Sequence, residues 1–174
     1  MSKAFLDHFE PLNIAVITIS DTRDEQTDTS GATLKELLCE QGHRIAEKII
    51  IKDDLEKIRS VVQSLSQNHN IEAIITTGGT GFTKRDNTFE AIYPIITKHI
   101  NGFGEIFRMV SYKEIGTSAM QSNAFAGFVG KTIVFCIPGS TGACKTAFNE
   151  IFKQQLDSTT RPCNFSALIK LNYN

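Results

Sequence analysis

The stretch IEAIITTGGTG, residues 71–81, reveals the architecture of this protein. Its first seven residues are mostly apolar and β-branched, which is typical of a strand buried on both faces of a parallel sheet. Three glycines among the next four residues allow backbone N–H groups to converge on an anion. The stretch therefore predicts a buried parallel strand with a polar loop at its carboxyl end.

Three further runs repeat this β-branched pattern, at residues 14–19, 45–51 and 132–137. Between the strands, apolar residues recur three and four positions apart, as in helices with one buried face. These helical sets are Leu34, Leu37 and Leu38; Leu55, Ile58, Val62 and Leu65; Ile92, Ile95 and Ile96; Phe103, Ile106, Phe107 and Val110; and Cys144, Ala147, Phe148, Ile151 and Phe152. Strands that alternate with helices predict an α/β three-layer sandwich, a mainly parallel sheet flanked by helices.

Local signals mark some of the boundaries. Gly42 is a plausible stop for the first helix, and Pro94 predicts a kink or boundary in the third. Residues 124–129 could add a strand hairpin at an edge of the sheet. The whole chain, 1–174, is expected to form one domain, in which residues 1–12 and 166–174 are flexible or peripheral tails.

Composition excludes several classes of protein. The 174 residues are 41% hydrophobic and carry a net charge of −1, which argues against a general nucleic-acid binder with a basic stripe but still allows a small basic pocket. No signal peptide and no membrane-spanning run is evident, which favours a cytoplasmic protein without membrane or nucleic-acid partners. The four cysteines have no metal or disulfide spacing and are expected to be reduced and mostly buried, and the four histidines have no zinc spacing.

Small or acidic polar residues follow each of the four strands. They are Ser20 and Asp21; Asp53 and Asp54; Gly78, Gly79, Thr80 and Gly81; and Pro138, Gly139 and Ser140. Because the carboxyl ends of parallel strands share one edge, we expect these groups to lie together and to bind a ligand there. The glycine loop is neither a Walker A loop nor G-x-G-x-x-G, so a tight turn and an anion site both remain open. Pro138-Gly139-Ser140 similarly allows either a second anion site or a turn that caps the last helix.

The acidic residues also have two interpretations. Asn87 and Glu90 fit a helix capping box, which leaves Asp86 to serve as a ligand for Mg²⁺ or as an acid at a helix start. One of Asp53 and Asp54 is expected to cap the helix that follows, and the other could face the pocket. Arg108 could bind substrate or be a solvated charge.

Several segments together resemble the MogA/MoaB family of molybdenum cofactor biosynthesis. They are TTGGTG at 76–81, RDNTFEA at 85–91, GFGEIFR at 102–108 and PGST at 138–141; SYKEIGTSAMQS at 111–122 and RPCNF at 161–165 most resemble MoaB members. The resemblance implies a molybdopterin-binding fold and a homo-oligomer, a trimer or a hexamer. It also implies a pterin and a nucleotide as ligands, with other proteins of the pathway as further candidate partners.

MogA-type members adenylylate molybdopterin with Mg-ATP and release pyrophosphate. The resemblance therefore implies that Asp53 and Asp86 are the catalytic, Mg²⁺-binding pair, although Lys52 stands where the family often has proline. It further implies that Gly78, Gly79, Thr80 and Gly81 bind nucleotide and substrate phosphate, with Ser20, Asp21, Arg108 and Pro138-Gly139-Ser140 lining the pocket. The alternatives are a molybdopterin carrier or scaffold without catalysis, and an assembly subunit with a vestigial pocket.

Overall fold

A computed structural model describes residues 5–173, and it contains one six-stranded sheet with helices on both faces. The strands are β1 (Asn13–Ile19), β2 (Arg44–Ile51), β3 (Ala73–Thr77), β4 (Lys98–His99), β5 (Phe125–Val129) and β6 (Thr132–Ile137). Their order in the sheet is β2-β1-β3-β6-β5-β4. The first four strands in this order are parallel, and β5 runs antiparallel to both β6 and β4.

The helices are α1 (Thr29–Glu40), α2 (Leu55–Gln67), α3 (Thr88–Ile92), α4 (Asn101–Ile115), α5 (Thr141–Ala147), α6 (Lys153–Gln155) and α7 (Phe165–Tyr173). Short 3-10 segments cover Tyr93–Ile95 and Gly116–Gln121, and a π-helical turn, Phe148–Phe152, joins α5 to α6. Among residues 5–173, no helix combines the length and the apolar character needed to cross a bilayer.

Two hydrophobic cores lie on opposite faces of the sheet. Helices α1, α4 and α5 pack on one face, where Leu34, Phe107 and Phe152 are almost completely buried. Helices α2 and α3 cover the other face through Ile58 and Ile92. The predicted three-layer sandwich is confirmed, because strands that are apolar on both sides need a helical layer on each.

The strand predictions hold closely, while several smaller elements differ from expectation. Strands were expected at 71–77 and 132–137, and the structure has Ala73–Thr77 and Thr132–Ile137. The hairpin expected at 124–129 forms as β5 and β6, but the two residues of β4 pair beyond it and form the true edge. A strand of two residues has no periodicity, so its pairing has to come from the neighbouring strand.

The helix predictions need three corrections. The helix expected from 144 onward contains a π-helical turn, and a further helix, α7, follows it. Ile106, expected on the buried stripe of α4, is 47% exposed. Helix α3 ends at Ile92, so Ile95 and Ile96 lie beyond it, while the boundary predicted at Pro94 is confirmed by the 3-10 turn that contains this proline.

The two expected tails are packed rather than free over their described residues. Leu12 is fully buried, and the Leu6 amide donates to the Ser158 carbonyl at 2.6 Å. Ile169 of α7 is also fully buried. Residues 1–4 and Asn174 lie outside the described residues.

The cysteine expectation was half right. All four thiols are free, but only Cys136 and Cys144 are buried, while Cys39 and Cys163 are exposed. Burial raises the pKa of the Cys136 thiol to about 12 and that of the Cys144 thiol to about 11. The buried pair therefore acts as small apolar side chains.

Candidate functional site

Four parallel strands end at one edge of the sheet, and the loops that follow them form the candidate site. From β1 the chain crosses to β2 on one side, whereas from β3 it continues to strands on the other side. Open α/β sheets bind ligands in the crevice beyond such a switch point. The glycine loop, residues 78–81, directly follows β3 at this position.

The glycine loop is pressed against both neighbouring strand ends. Gly78 has a φ of +110°, and a Cβ atom there would overlap the carbonyl oxygen of Ile19 at the end of β1. The Gly78 amide donates to the Ile137 carbonyl at 3.0 Å, at the end of β6. A Cβ atom on Gly139 would lie 3.0 Å from the Gly78 Cα, so the Pro138-Gly139 turn and the glycine loop are in contact.

Asp53 faces the glycine loop from the end of β2. Its Oδ1 accepts hydrogen bonds from the Asn87 backbone N–H at 2.9 Å and the Asn87 side-chain amide at 3.1 Å. Its Oδ2 lies 2.6 Å from the position that a Cβ atom of Gly79 would occupy, and no described residue donates to it. Asp53 thus presents to the loop one oxygen that has no hydrogen-bond donor among residues 5–173.

The pKa of Asp53 is raised, first because the carboxyl is partly buried. The hydrogen bonds from Asn87 oppose this shift, while the negative charges of Asp86 and Asp21 add to it. Like charges that crowd a partly buried carboxylate penalise its ionised form. A bound divalent cation would relieve this penalty.

Asp86 approaches the same loop at Gly81. Its Oδ2 lies 2.7 Å from the position of a Cβ atom on Gly81 and accepts from the Thr83 amide at 2.9 Å and the Thr83 hydroxyl at 2.5 Å. Burial alone would raise the pKa of Asp86, but hydrogen bonds from Thr83 and from the Gly81 amide hold it below its usual value. Asp86 is therefore ionised at neutral pH and helps to shape the loop.

Asp21 is a third carboxylate near the glycine loop, beside Asp53 and Asp86. Its Oδ1 accepts from the Asp53 amide at 3.2 Å, and its Oδ2 lies 3.7 Å from the exposed guanidinium of Arg85. No group of three or more His, Cys, Asp and Glu side chains suited to hold a metal occurs among residues 5–173. Mg²⁺ does not need such a group, because it commonly binds through one or two carboxylates together with substrate phosphates. The hard oxygen donors of Asp53 and Asp86 fit that mode.

The hydroxyls of Ser20 and Ser140, at the same edge of the sheet, accept hydrogen bonds from backbone amides of their own turns. Ser20 Oγ accepts from the Thr22 amide at 3.3 Å and the Arg23 amide at 3.2 Å. Ser140 Oγ accepts from the Ala143 amide at 3.1 Å and caps α5, as its capping interpretation predicts. Both serines lie at the edge where they were expected, with their hydroxyls serving the backbone.

Arg108 lies one segment away from the loop. Its Nη1 donates to the Ala124 carbonyl at 3.1 Å and the Ser122 carbonyl at 3.4 Å, so it is not a freely solvated charge. The Asn123 amide in turn donates to the Thr80 carbonyl at 3.2 Å. Arg108 also lines a cavity of about 280 Å³ beside this segment. The structure thus joins Arg108 to the site through residues 122–124.

As with Ser140 at α5, the capping prediction is confirmed at α2, but it is wrong at α3. Asp54 caps α2 by accepting from the Lys57 amide at 2.8 Å, which leaves Asp53 to face the loop. Asn87 precedes α3, but its side chain makes no capping hydrogen bond. Its amide donates to Asp53 instead, both to the carboxylate and, at 2.9 Å, to the backbone carbonyl. The proposed capping box is therefore wrong, because a carboxylate across the site competes successfully for the amide.

Two positioning residues were missed. Asn87 orients Asp53, and Thr88 anchors the loop by donating from its hydroxyl to the Gly78 carbonyl at 2.8 Å. Both lie within the segment 85–91 that carries the family resemblance. Their partners are distant in sequence, so no local pattern points to these contacts.

Comparison with known families defines the class of protein. A family model described as "Probable molybdopterin binding domain" matches residues 15–158. The chain belongs to this family.

Named relatives narrow the class further. Molybdenum cofactor biosynthesis protein B of Escherichia coli K12 is 44% identical over 162 residues, which cover 93% of this chain and 95% of that protein. The protein of the same name from Bacillus subtilis strain 168 is 44% identical over 147 residues, 84% of this chain and 86% of the relative.

Solved structures agree with these relatives. A crystal structure of a molybdenum cofactor biosynthesis protein B is 42% identical with a TM-score of 0.85, covering 95% of this chain and 98% of that one. The tungsten cofactor synthesizing protein MoaB from Pyrococcus furiosus is 34% identical with a TM-score of 0.75, covering 84% and 93%. A MogA structure at 19% identity and a TM-score of 0.69 shares the fold.

Proposed function

We propose that this member of the molybdenum cofactor biosynthesis family transfers AMP from Mg-ATP to the terminal phosphate of molybdopterin. The observation that supports the proposal is the Asp53 Oδ2 against Gly79, to which no described residue donates, together with Asp86 against Gly81 of the same loop. A glycine loop beside two carboxylates suits a phosphate ligand only when a cation lies between the charges. The arrangement therefore favours a phosphate ligand bound together with a divalent metal.

The chemistry needs alignment rather than a general base. A terminal phosphate has a second pKa of about 6, so at neutral pH it is largely a dianion and already a nucleophile. One of its oxygens attacks the α-phosphorus of ATP, the bond to the bridging oxygen breaks, and pyrophosphate leaves with that electron pair. The barrier is set by positioning and by repulsion between the anions.

The residues at the site supply that positioning. Asp53 and Asp86 would hold Mg²⁺, which when bound neutralises charge on the phosphates. Backbone N–H groups of the glycine loop can bind phosphate oxygens. Asn87 keeps Asp53 in place through two bonds to one carboxylate oxygen, which leaves the other oxygen available.

The test is an adenylylation assay with purified protein, molybdopterin, Mg²⁺ and α-labelled ATP. We expect pyrophosphate and labelled pterin from the wild type, and about 100-fold slower turnover from Asp53→Asn, since removing one preorganised electrostatic contact typically costs this much. Asp54→Asn is the matched control, because asparagine also caps helices and Asp54 faces α2 rather than the loop. Absence of both products, under conditions in which a MogA-type enzyme turns over, would refute adenylyl transfer.

A non-catalytic molybdopterin carrier is the second candidate. Its support is that Thr83 and Gly81 already occupy much of the hydrogen-bonding capacity of Asp86. A carrier would bind molybdopterin but would bind ATP no more tightly with Mg²⁺ than without it. Calorimetric titration of ATP with and without Mg²⁺ separates the two functions.

A further inference from the structure

One ion pair connects two of the loops at the candidate site. The guanidinium of Arg85, which follows the glycine loop, lies 3.7 Å from Asp21 Oδ2 in the loop after β1. Asp21 in turn accepts a hydrogen bond from the Asp53 amide through its Oδ1 at 3.2 Å. The pair therefore holds a positively charged side chain beside the carboxylate that faces the glycine loop.

The contact between Arg85 and Asp21 is weak enough to be exchanged for another. Its length of 3.7 Å exceeds the roughly 2.7–2.9 Å of a charge-assisted hydrogen bond. The Arg85 side chain is 83% exposed and the Asp21 side chain is 38% exposed. Because exposed ion pairs add little to stability, Arg85 can change partner at small energetic cost.

The acids around the glycine loop explain why a phosphate ligand would need this cation. Asp53, Asp86 and Asp21 place three carboxylates near the loop. A bound Mg²⁺ divides its charge between protein carboxylates and phosphates, which leaves negative charge on a triphosphate uncompensated. A guanidinium carries a planar fork of N–H donors that binds two phosphate oxygens at once. Arg85 therefore has the chemistry to compensate this charge.

The position of Arg85 favours one part of the nucleotide. Arg85 is exposed, whereas Asp53 and Asp86 are half-buried, so the guanidinium lies on the solvent side of the two candidate metal ligands. The α-phosphate, at which the bond breaks, needs the loop amides and the metal close to it. The β- and γ-phosphates extend away from the reacting atom, and they are the part of ATP that an outlying cation can reach.

We propose that Arg85 releases Asp21 when a nucleotide binds and pairs instead with the β- and γ-phosphates, the group that leaves as pyrophosphate. The inference rests on the proposed adenylyl transfer for the identity of the nucleotide, but it concerns a residue to which that reaction has so far given no role. Negative charge builds up on the leaving group as its bond to the α-phosphorus breaks, and a guanidinium placed there stabilises that charge. Asp21 is the partner of Arg85 in the free protein.

Calorimetric titration of the full chain with Mg-pyrophosphate tests this pairing without requiring turnover. Arg85→Ala should weaken binding about tenfold, the usual size of one lost charge-assisted contact. Arg85→Lys should weaken it less, because lysine keeps the charge but loses the fork. Lys84→Ala is the matched control, since it removes the same charge from the neighbouring exposed position and should keep nearly the wild-type affinity. Binding of Mg-AMP, which lacks both phosphates, should be equal in all four proteins.

The exchange of partners has its own test in Asp21→Asn. Asparagine keeps an oxygen for the Asp53 amide but no longer offers Arg85 a counter-charge. Mg-pyrophosphate should therefore bind about threefold more tightly, in keeping with the small strength of an exposed ion pair. In an Arg85→Ala background the gain should be smaller, because no guanidinium remains to be released. Equal gains in the two backgrounds would show that Asp21 acts only by repulsion and would overturn the exchange.

The outcomes also separate this inference from the proposed function. A wild type that does not bind Mg-pyrophosphate, or an Arg85→Ala variant that binds it as tightly as Lys84→Ala does, would overturn the role of Arg85 even if the adenylylation assay yields both products. An equal loss of Mg-AMP affinity in Arg85→Ala would also overturn it, by indicating a structural role. Binding of Mg-pyrophosphate that depends on Arg85, in a protein that yields neither product, would support the pairing and refute adenylyl transfer.

Discussion

Two carboxylates at the start of helical segments show how differently one fold can use an aspartate. Asp28, which caps α1, is buried and has its partners within the chain: Lys48 at 2.7 Å, the Thr18 hydroxyl at 3.0 Å and the Gly31 amide at 2.9 Å. Burial alone would raise its pKa, but the bonds from Lys48, Gly31 and Thr18 hold it lower. Asp53 has no cation partner among the described residues, and its pKa is raised.

The contrast separates a structural acid from a candidate ligand-binding acid. A buried charge that is paired and hydrogen-bonded is stable in the folded protein. A carboxylate with a raised pKa, a free oxygen and like-charged neighbours is more typical of a functional site. Both are aspartates just before a helix, Asp28 as the cap of α1 and Asp53 one residue before the cap of α2, so the surroundings account for most of the difference.

Replacing Asp28, the structural acid, should lower the stability of the protein. Asp28→Asn removes the counter-charge of Lys48. The Lys48 side chain is only 20% exposed, so water compensates little for this loss. We expect a loss of about 3 kcal/mol in unfolding free energy, since removal of one partner from a buried ion pair is costly. Urea denaturation measures the change. Glu36→Gln on the exposed side of α1 should leave the midpoint unchanged, and equal midpoints for Asp28→Asn and wild type would contradict the structural role.

Filling the space beside Asp53, the candidate ligand-binding acid, should destabilise the protein less than Asp28→Asn does. Gly79→Ala places a Cβ atom against Asp53 and the Thr88 hydroxyl, at a φ of +61°. We expect a loss of about 2 kcal/mol in unfolding free energy, from the left-handed backbone and the displaced side chains. Gly102→Ala is a matched control, because its Cβ atom meets nothing within 4 Å. That variant should be neutral or slightly stabilised. Equal stability of the two variants would show that the loop is not held against Asp53.

The pH dependence should differ in sign between the two acids. Because the folded pKa of Asp28 is lowered, its stabilising contribution is present above the unfolded pKa of about 3.9 and is lost as pH falls through the folded value. Because the folded pKa of Asp53 is raised, its contribution is present below the unfolded pKa and is lost as pH rises through the folded value. Without metal at neutral pH, Asp53→Asn should therefore gain stability, by less than about 1 kcal/mol since solvent screens this site.

Added Mg²⁺ should reverse the difference in stability between the wild type and Asp53→Asn. It should stabilise the wild type more than Asp53→Asn, because a ligand that binds the folded state raises its stability by mass action. Thermal unfolding with and without Mg²⁺, at neutral pH and near pH 4, measures both effects. A loss of stability in metal-free Asp53→Asn would show that Asp53 is a structural acid like Asp28.

The strands were predictable because their physical signal is local. Runs such as residues 132–137 are β-branched and apolar throughout, and this pattern survives in any tertiary context that buries both faces. The polar loops that follow the four strands were expected to lie together, because parallel strands end at the same edge of the sheet. Two-residue β4 and the packing of α7 could not be predicted, since each depends on a surface supplied by distant parts of the chain.

The chain's order of residues was enough to establish the layered sheet, the shared edge and the presence of acids beside a glycine loop. The tertiary structure then determined which contacts each of these residues makes. It paired Asp28 with Lys48, directed Asn87 to Asp53 rather than to its own helix, and left Ile106 and Met109 exposed on α4. The reason is that propensity and periodicity act over a few neighbouring residues, whereas desolvation, charge pairing and competition for hydrogen bonds depend on atoms that meet only in three dimensions.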